Sequence, residues 1–286
     1  MRPILRVYTR INEPVSHAIY RINREFVKRA PDFVEFVDVP GKADFQIVHC
    51  LGAGSLTKIQ HDKFVLFQHN LINSDITSLK IWLSIFQQAL MVVSYSNLPA
   101  LLNSDTFHFH MTPWGVDDTV FQNLGLNRAT SILTTGWCCE GEAISECFRA
   151  ASQCRKPMVN LGADFRFGEG FNAFSRLTDG ELCRLYNRCE FVSGLRFNEG
   201  FEMPVVEGLA CGCRPICFDL PIYRKWFEGC ASFIPHCRGQ TLVKEIEKVI
   251  RAGSPGVSER DLALSKANFS WKIITGRFWR RMLDYV

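Results

Sequence analysis

The chain alternates short apolar runs, rich in β-branched and aromatic residues, with longer segments of helical apolar spacing. The apolar runs predict strands at Leu5–Tyr8, Phe45–His49, Phe64–Gln68, Met91–Ser94, Phe107–His110, Ser131–Thr134, Met158–Leu161, Glu190–Ser193 and Pro215–Phe218. The segments with helical spacing predict helices at Val15–Ala30, Ile76–Leu90, Glu142–Gln153, Asp179–Arg188, Pro204–Cys211 and Thr241–Arg251. Such alternation is typical of parallel sheets that are covered by helices on both faces.

The length of 286 residues suffices for two domains that each close a core. A polar segment without periodicity, 122–128, separates the two halves of the strand–helix pattern and reads as a linker. The predicted fold class is therefore α/β, with two Rossmann-like doubly wound domains. In such folds the ligand crevice lies outside the carboxyl ends of the strands, so we expect the two domains to face a common cleft.

Composition excludes several classes of protein. Hydrophobic residues make up 47% and charged residues 22%, which is typical of a globular chain. No apolar stretch reaches the ~18 residues of a membrane-spanning helix, and the N-terminus lacks the features of a secretory signal, so we expect a cytoplasmic protein. The 12 cysteines are scattered without a C-x-x-C pair, which favours buried reduced thiols over a metal or disulfide role.

The segment from Ser193 to Gly212 carries the most chemical information. A strand ends at its start, a glycine-containing loop follows, and Pro204 sits in the first turn of a helix, where its missing N–H costs nothing. The amides of such a loop can bind phosphate or sugar oxygens. Glu199 on the loop and Glu207 in the helix could accept hydrogen bonds from one extended ligand. From the residues alone, a strand–turn–helix with one solvated and one capping carboxylate is an equally good interpretation.

This segment resembles the signature of the family 4 glycosyltransferases, in which two glutamates eight positions apart bracket a Gly-Phe-x-x-Pro turn. In that family the first glutamate faces the donor sugar and the second binds the ribose hydroxyls. The resemblance assigns these roles to Glu199, as a catalytic residue, and to Glu207. The amides that it assigns to the sugar and phosphate belong to Gly200, Phe201, Glu202 and Met203.

Weaker matches run along nearly the whole chain, among them Met111–Asp117 and Phe269–Trp271. The family has the two-domain B-type fold and retains the configuration of the transferred sugar. The resemblance thus implies an acceptor-side domain at 1–124, a donor-binding domain at 125–270, and a C-terminal helix at 271–286 that packs back on the first domain. It also implies a UDP- or GDP-linked sugar as donor, with a cell-envelope lipid or glycan as acceptor. A hydroxymethylated DNA base is an alternative acceptor.

The sequence departs from the family where an Arg and a Lys usually hold the diphosphate. Trp137 and Glu140 stand there instead. We expect Arg196, three residues before Glu199, to replace those cations, with Arg10 at the end of the first strand as the second choice. The alternative is a catalytically silent protein of the same fold that binds nucleotide sugars or serves as a scaffold.

Three further expectations concern the rest of the site. His69, at the end of a predicted strand, matches a family histidine near the reacting sugar and is the second candidate catalytic residue. No Asp-x-Asp occurs in the chain, so we expect neither a metal nor another cofactor. The aromatic and basic segment 271–283 is compatible with peripheral contact with a membrane or with DNA, although packing of its aromatic residues within the fold is the simpler interpretation.

Overall fold

The computed structural model describes residues 4–9, 18–50, 53–69, 76–137, 139–197 and 201–285. They form two compact units, one made of Met1–Trp114 with Trp271–Val286 and the other of Gly115–Ser270. The segment 122–128, which the sequence analysis read as a linker, therefore belongs to the second unit. No helix in the described ranges is both long and apolar enough to cross a bilayer.

The first unit is built on a six-stranded parallel sheet. Its strands are β1 (Leu5–Thr9), β2 (Val34–Phe36), β3 (Phe45–Cys50), β4 (Phe64–Gln68), β5 (Met91–Ser94) and β6 (Phe109–Met111). Its first three helices are α1 (Ala18–Lys28), α2 (Ile76–Gln88) and α3 (Leu98–Leu102), and 3₁₀ turns lie at Pro40–Lys42 and Ala53–Lys58. The spatial order β2-β1-β3-β4-β5-β6 places the topological switch point between β1 and β3.

The second unit holds another six-stranded parallel sheet. Its strands are β7 (Thr130–Gly136), β8 (Met158–Gly162), β9 (Phe171–Phe174), β10 (Cys189–Gly194), β11 (Arg214–Phe218) and β12 (Ser232–Ile234). Its helices are α4 (Cys139–Glu142), α5 (Ile144–Gln153), α6 (Asp179–Asn187), α7 (Met203–Ala210), α8 (Pro221–Phe227), α9 (Gly239–Ala252) and α10 (Glu259–Phe269). The order β12-β11-β10-β7-β8-β9 places the switch point between β7 and β10. The two doubly wound sheets confirm the predicted fold class.

The last helix, α11 (Trp271–Met282), followed by a 3₁₀ turn at Leu283–Tyr285, returns to the first unit. Phe278 packs edge-on against Phe26 of α1, with ring centroids 5.0 Å apart, and Trp279 Nε1 donates a 3.2 Å hydrogen bond to the Phe26 carbonyl. The aromatic side chains of α11 are thus buried in the core, while Arg277 and Arg280 are exposed on its other side. Within the first unit, packing accounts for the aromatic character of this segment.

Two contacts seat helix α7 on its sheet. Gly208 lies so close to β10 that a Cβ there would come within 2.7 Å of Val192 Cγ1, so a larger residue would push the helix away. Arg128 donates to the carbonyls of Tyr186, Cys189 and Cys211, at or just beyond the carboxyl ends of α6 and α7. A cation there satisfies helix-terminal carbonyls and complements both helix dipoles.

Candidate functional site

At the switch point of the second sheet, Arg196 joins the ends of the two central strands. It follows β10 by two residues. Its Nη2 donates to the carbonyl and hydroxyl oxygens of Thr135 on β7, at 2.9 and 3.1 Å. Its Nη1 donates to Glu142 Oε1, and its Nε lies 2.6 Å from Glu202 Oε2. One guanidinium therefore holds β7, α4 and the start of α7 together.

This ion cluster, defined as Glu142, Arg196 and Glu202, is buried and acidic overall. Its side chains are 14%, 16% and 3% exposed, respectively. Two carboxylates against one guanidinium give a formal net charge of −1. Gly136 makes room for the cluster, because a Cβ at that position would lie 1.8 Å from Glu142 Oε2. Since each nitrogen of Arg196 already has a protein partner, its role in binding a diphosphate stays a prediction.

Helix α7 begins at Met203, with Pro204 in its first turn as the sequence predicts. Glu202 occupies the N-cap position, but its carboxylate pairs with Arg196 and makes no capping hydrogen bond. Phe201 packs on Phe227, with ring centroids 5.8 Å apart, and is buried like Met203. Glu199, Gly200 and Arg10 lie outside the described residues.

Glu207 lies inside the protein, one turn into α7. It is 2% exposed, and its Oε2 accepts a 3.1 Å hydrogen bond from the Tyr186 hydroxyl. Burial, together with the neighbouring Glu207 carboxylate, raises the pKa of Tyr186 well above its ordinary value, so this hydroxyl remains a donor. An ionised carboxylate can accept about four hydrogen bonds, so the bond from Tyr186 is compatible with a further bond from a ligand hydroxyl.

Two further side chains flank the carboxyl ends of β7 and β10. Trp137 follows β7 directly and is 73% exposed, which is unusual for so large an apolar ring. Arg238, ahead of α9, lies with its guanidinium carbon 3.6 Å from the ring centroid of Phe197, in the loop after β10. In the sequence, Trp137 stood out only because it replaces a cation of the family, and no motif pointed to Arg238.

In the first unit, His69 is part of a connected polar group at the carboxyl ends of β1, β3 and β4. His69 Nε2 lies 2.9 Å from His49 Nδ1, and His49 Nε2 lies 3.0 Å from Asn23 Oδ1 on α1. The Thr9 hydroxyl, at the end of β1, donates to the same Asn23 oxygen at 2.9 Å. The sequence pattern pointed to His69 but not to Asn23, because no motif links residues 46 positions apart.

Burial keeps these histidines neutral. It lowers the pKa of His49 to about 3, and burial together with the charge of His49 lowers the pKa of His69 well below its ordinary value. His110 in β6 behaves similarly: burial, with the charges of Arg281 and Arg277, lowers its pKa to about 4. Neutral imidazoles can each donate one hydrogen bond and accept another.

These lowered pKa values predict an acid-sensitive fold. Below pH 6.5, the ordinary histidine pKa, the unfolded chain binds protons at these positions and the folded chain does not. The free energy of unfolding should thus decrease as the pH is lowered, by about 1.4 kcal/mol per pH unit for each such histidine. Two carboxylates, Glu181 and Asp219, also have a lowered pKa. They affect the pH dependence only below their ordinary pKa values of 4.5 and 3.8, where their stabilising effect is lost as the pH falls. Urea unfolding at several pH values between 5 and 6.5 measures the change in the free energy of unfolding per pH unit. His110→Gln should reduce this slope by the share of one histidine, since one proton fewer is taken up on unfolding. An unchanged slope in that variant would contradict the assignment.

Among the described residues, no three His, Cys, Asp or Glu side chains form a group that could hold a metal ion. The ten cysteines whose side chains the structure describes are free thiols, and most of them are buried, as the sequence predicts.

Comparison with known proteins gives matches of structure alone. No protein-family model and no curated protein sequence matches the chain. HepE of Anabaena, solved in complex with UDP and glucose, is 11% identical with a TM-score of 0.73, and the alignment covers 99% of this chain and 100% of HepE. AviGT4, a glycosyltransferase involved in avilamycin A biosynthesis, is 12% identical with a TM-score of 0.68, covering 99% of each chain.

A glycosyltransferase from Rickettsia africae is also 12% identical with a TM-score of 0.68, over 100% of this chain and 99% of that one. Each of these alignments spans both Rossmann-like units, so the similarity extends to the order of the two domains. The chain therefore has the two-Rossmann-domain fold of the B-type glycosyltransferases.

Proposed function

We propose that the protein is a retaining glycosyltransferase that moves a sugar from a nucleoside diphosphate to an acceptor hydroxyl. The observation that carries this proposal is the position of the signature segment. It connects β10 to α7 at the switch point of the second sheet, where doubly wound folds bind their ligands. The similarity in fold to HepE, which was solved with UDP-glucose as well as with UDP and glucose, supports a nucleotide sugar as the ligand class.

The residues of the segment match the two demands of the reaction. Departure of the diphosphate leaves an oxocarbenium-like sugar, which a carboxylate beside it stabilises, and this role falls to Glu199. The leaving phosphate gains negative charge, which amide N–H groups at the start of α7 can stabilise. Glu207, one turn into α7, would accept hydrogen bonds from the ribose.

The competing function is nucleotide-sugar binding without transfer. It is favoured by the net negative charge of the ion cluster and by Trp137, which stands where the family places a cation. Both functions predict binding, so only turnover separates them.

The experiment is a screen of purified protein against UDP, GDP and their common sugar conjugates. A ligand at about 100 times its Kd stabilises the folded state by about 2.7 kcal/mol, which a thermal-shift assay detects. Release of the nucleoside diphosphate from the stabilising conjugate is then followed in the presence and absence of EDTA. We expect release both with and without EDTA; binding without release across many acceptors would favour the competing function, and loss of release with EDTA would refute metal independence.

Trp137 should contribute to donor binding by stacking on a ring of the ligand. An exposed tryptophan at the end of a central strand offers its face to a base or sugar. Trp137→Ala should weaken binding of the stabilising nucleotide sugar about 3–10-fold, the usual worth of one aromatic contact, and Trp137→Phe should retain most of it. Isothermal titration measures both affinities. Leu264→Ala, which removes an exposed apolar side chain elsewhere in the same unit, is the control, and an equal effect of both alanine variants would argue against stacking.

A further inference from the structure

A line of hydrogen bonds in the first unit runs from Thr9 through Asn23 and His49 to His69. Its three links measure 2.9, 3.0 and 2.9 Å, all within normal hydrogen-bond distance. The line begins at the end of β1 and reaches β3 and then the residue after β4, so it crosses the switch point of this sheet. We call Asn23, His49 and His69 the histidine relay; Thr9 contacts it from the end of β1.

Asn23 is the first residue of the relay, and the chemistry of its side chain fixes the direction of both hydrogen bonds between the relay residues. The Asn23 Oδ1 atom only accepts, so His49 must carry its proton on Nε2. A neutral His49 then has a lone pair on Nδ1, which accepts from a proton on His69 Nε2. His69, neutral in turn, is left with its lone pair on Nδ1.

The geometry of the two rings agrees with this direction. Their planes differ by 13°, and their centroids are 5.1 Å apart. With a 2.9 Å N···N distance, this separation means that the rings lie side by side in nearly one plane, as a bond along a ring lone pair requires. His69 is also fixed through its backbone, since its N–H donates to the Cys50 carbonyl and its carbonyl accepts from the Tyr95 hydroxyl.

Aromatic rings line the relay on its apolar side. Phe67 lies 5.0 Å from the ring of His49, and Trp114 lies 4.9 Å from the ring of His69. These aromatic neighbours cannot replace the hydrogen bonds of the imidazoles. Loss of the Asn23 oxygen would therefore change which ring nitrogens of His49 and His69 carry protons.

We propose that Asn23 is a positioning residue, which acts through His49 to hold His69 in the tautomer whose unprotonated Nδ1 accepts a hydrogen bond from a substrate hydroxyl. The inference rests on the proposed function, because the partner of an acceptor-only nitrogen must be a donor, and hydroxyls are the donors that a sugar and its acceptor supply. It assigns to Asn23 and His49 a role in selecting one of two tautomers that are otherwise close in energy.

The first test observes the tautomers directly, by long-range ¹H–¹⁵N NMR of the histidine rings in the free protein. His49→Gln and His69→Gln assign the signals. We expect both histidines to carry the proton on Nε2 in the wild-type protein, and His69 to lose this single state in Asn23→Leu. A proton on His69 Nδ1 in the wild-type protein would overturn the proposal whether or not the protein is an enzyme.

The second test uses turnover of the nucleotide sugar identified by the screen, at about pH 8 so that the imidazoles stay neutral. His69→Phe should lower kcat about 100-fold, the usual worth of a positioned proton acceptor. Asn23→Leu should lower kcat at least about 10-fold while changing the KM of the donor less than about 3-fold. Asn23→Asp, whose carboxylate can only accept, should restore kcat to within about 3-fold of the wild-type value.

Two further variants separate the relay from mere packing. Thr9→Val removes the hydroxyl that also reaches the Asn23 oxygen but leaves the acceptor for His49 in place, so its kcat should stay near the wild-type value. Asn23→Leu combined with His69→Phe should be no slower than His69→Phe alone, because both act through one group. Additive losses, or an Asn23→Asp variant as slow as Asn23→Leu, would refute the relay. Absence of turnover in the wild-type protein would instead refute the proposed function, and the NMR test would still decide the tautomers.

Discussion

Replacing Arg196 with methionine should lower the free energy of unfolding by about 3–5 kcal/mol. The substitution keeps a long apolar stem but removes the only guanidinium of the ion cluster. Two largely buried carboxylates, Glu142 and Glu202, then remain without the cation that binds both. The hydrogen bonds to Thr135 that link β10 to β7 are lost as well.

Arg224 provides a matched control, because it too binds two carboxylates. Its partners are Asp219 and Glu228, but all three side chains are 41% exposed or more. Exposed ion pairs contribute little, so Arg224→Met should lower the free energy of unfolding far less than Arg196→Met does. Urea unfolding of both variants makes the comparison. Equal losses would show that burial does not set the strength of the Arg196 cluster.

The triple variant Arg196→Met, Glu142→Gln, Glu202→Gln separates the loss of the Arg196 contacts from the cost of two neighbouring buried carboxylates. Removal of the whole ion cluster should recover most of the stability, since a buried ion pair replaced as a unit is often near neutral. If the triple variant is as unstable as Arg196→Met, the charge of the two carboxylates is not the cause. The single variant Glu142→Gln tests the ligand role as well: it should strengthen UDP binding if Arg196 contacts the diphosphate, and leave it unchanged if Arg196 is structural.

The sequence predicted the central strands well, because each is a continuous apolar run that becomes buried on both faces. The strands it missed, β2, β9 and β12, all lie at sheet edges. Each of these strands has three or four residues, and most of the residues are not fully buried. They therefore lack the continuous apolar run that identifies an inner strand. Helices α3, α4, α8 and α10 were missed as well; α10 carries little apolar asymmetry and buries only two residues, Ser265 and Phe269.

The candidate site was predictable to the extent that it lies in one continuous segment. The position of α7, which begins at Met203 and has Pro204 in its first turn, follows from residues 193–212. Other contacts of the candidate sites join residues that are far apart along the chain: Thr135 contacts Arg196, and Asn23 contacts His49. Such pairs are set by strand order and register, which local periodicity does not contain. The same limit explains why Arg196 could be selected as a cation while its two carboxylate partners were not foreseen.

The two glutamates of the signature should separate donor binding from chemistry. Glu207→Ala should weaken UDP binding about 10–100-fold, because a hydrogen bond to a charged group is worth about 1.5–3 kcal/mol. Glu199→Gln should leave UDP binding unchanged and lower kcat about 10²–10³-fold, the typical effect of removing one group that stabilises the transition state. Isothermal titration with UDP and steady-state turnover give the two quantities for each variant.

A structural role for Glu207 must be excluded in the same experiment, since its carboxylate also accepts from the Tyr186 hydroxyl. Tyr186→Phe removes that bond and keeps the carboxylate, so it should bind UDP within about 3-fold of the wild-type protein. The ligand can be varied as well as the protein. UDP without its ribose hydroxyls should bind the wild-type protein as weakly as UDP binds Glu207→Ala, and it should lose nothing further in that variant. If Tyr186→Phe weakens UDP binding as much as Glu207→Ala does, or if the dideoxy ligand still distinguishes the variant from the wild-type protein, Glu207 supports the fold of α7 and the ribose is bound by another residue.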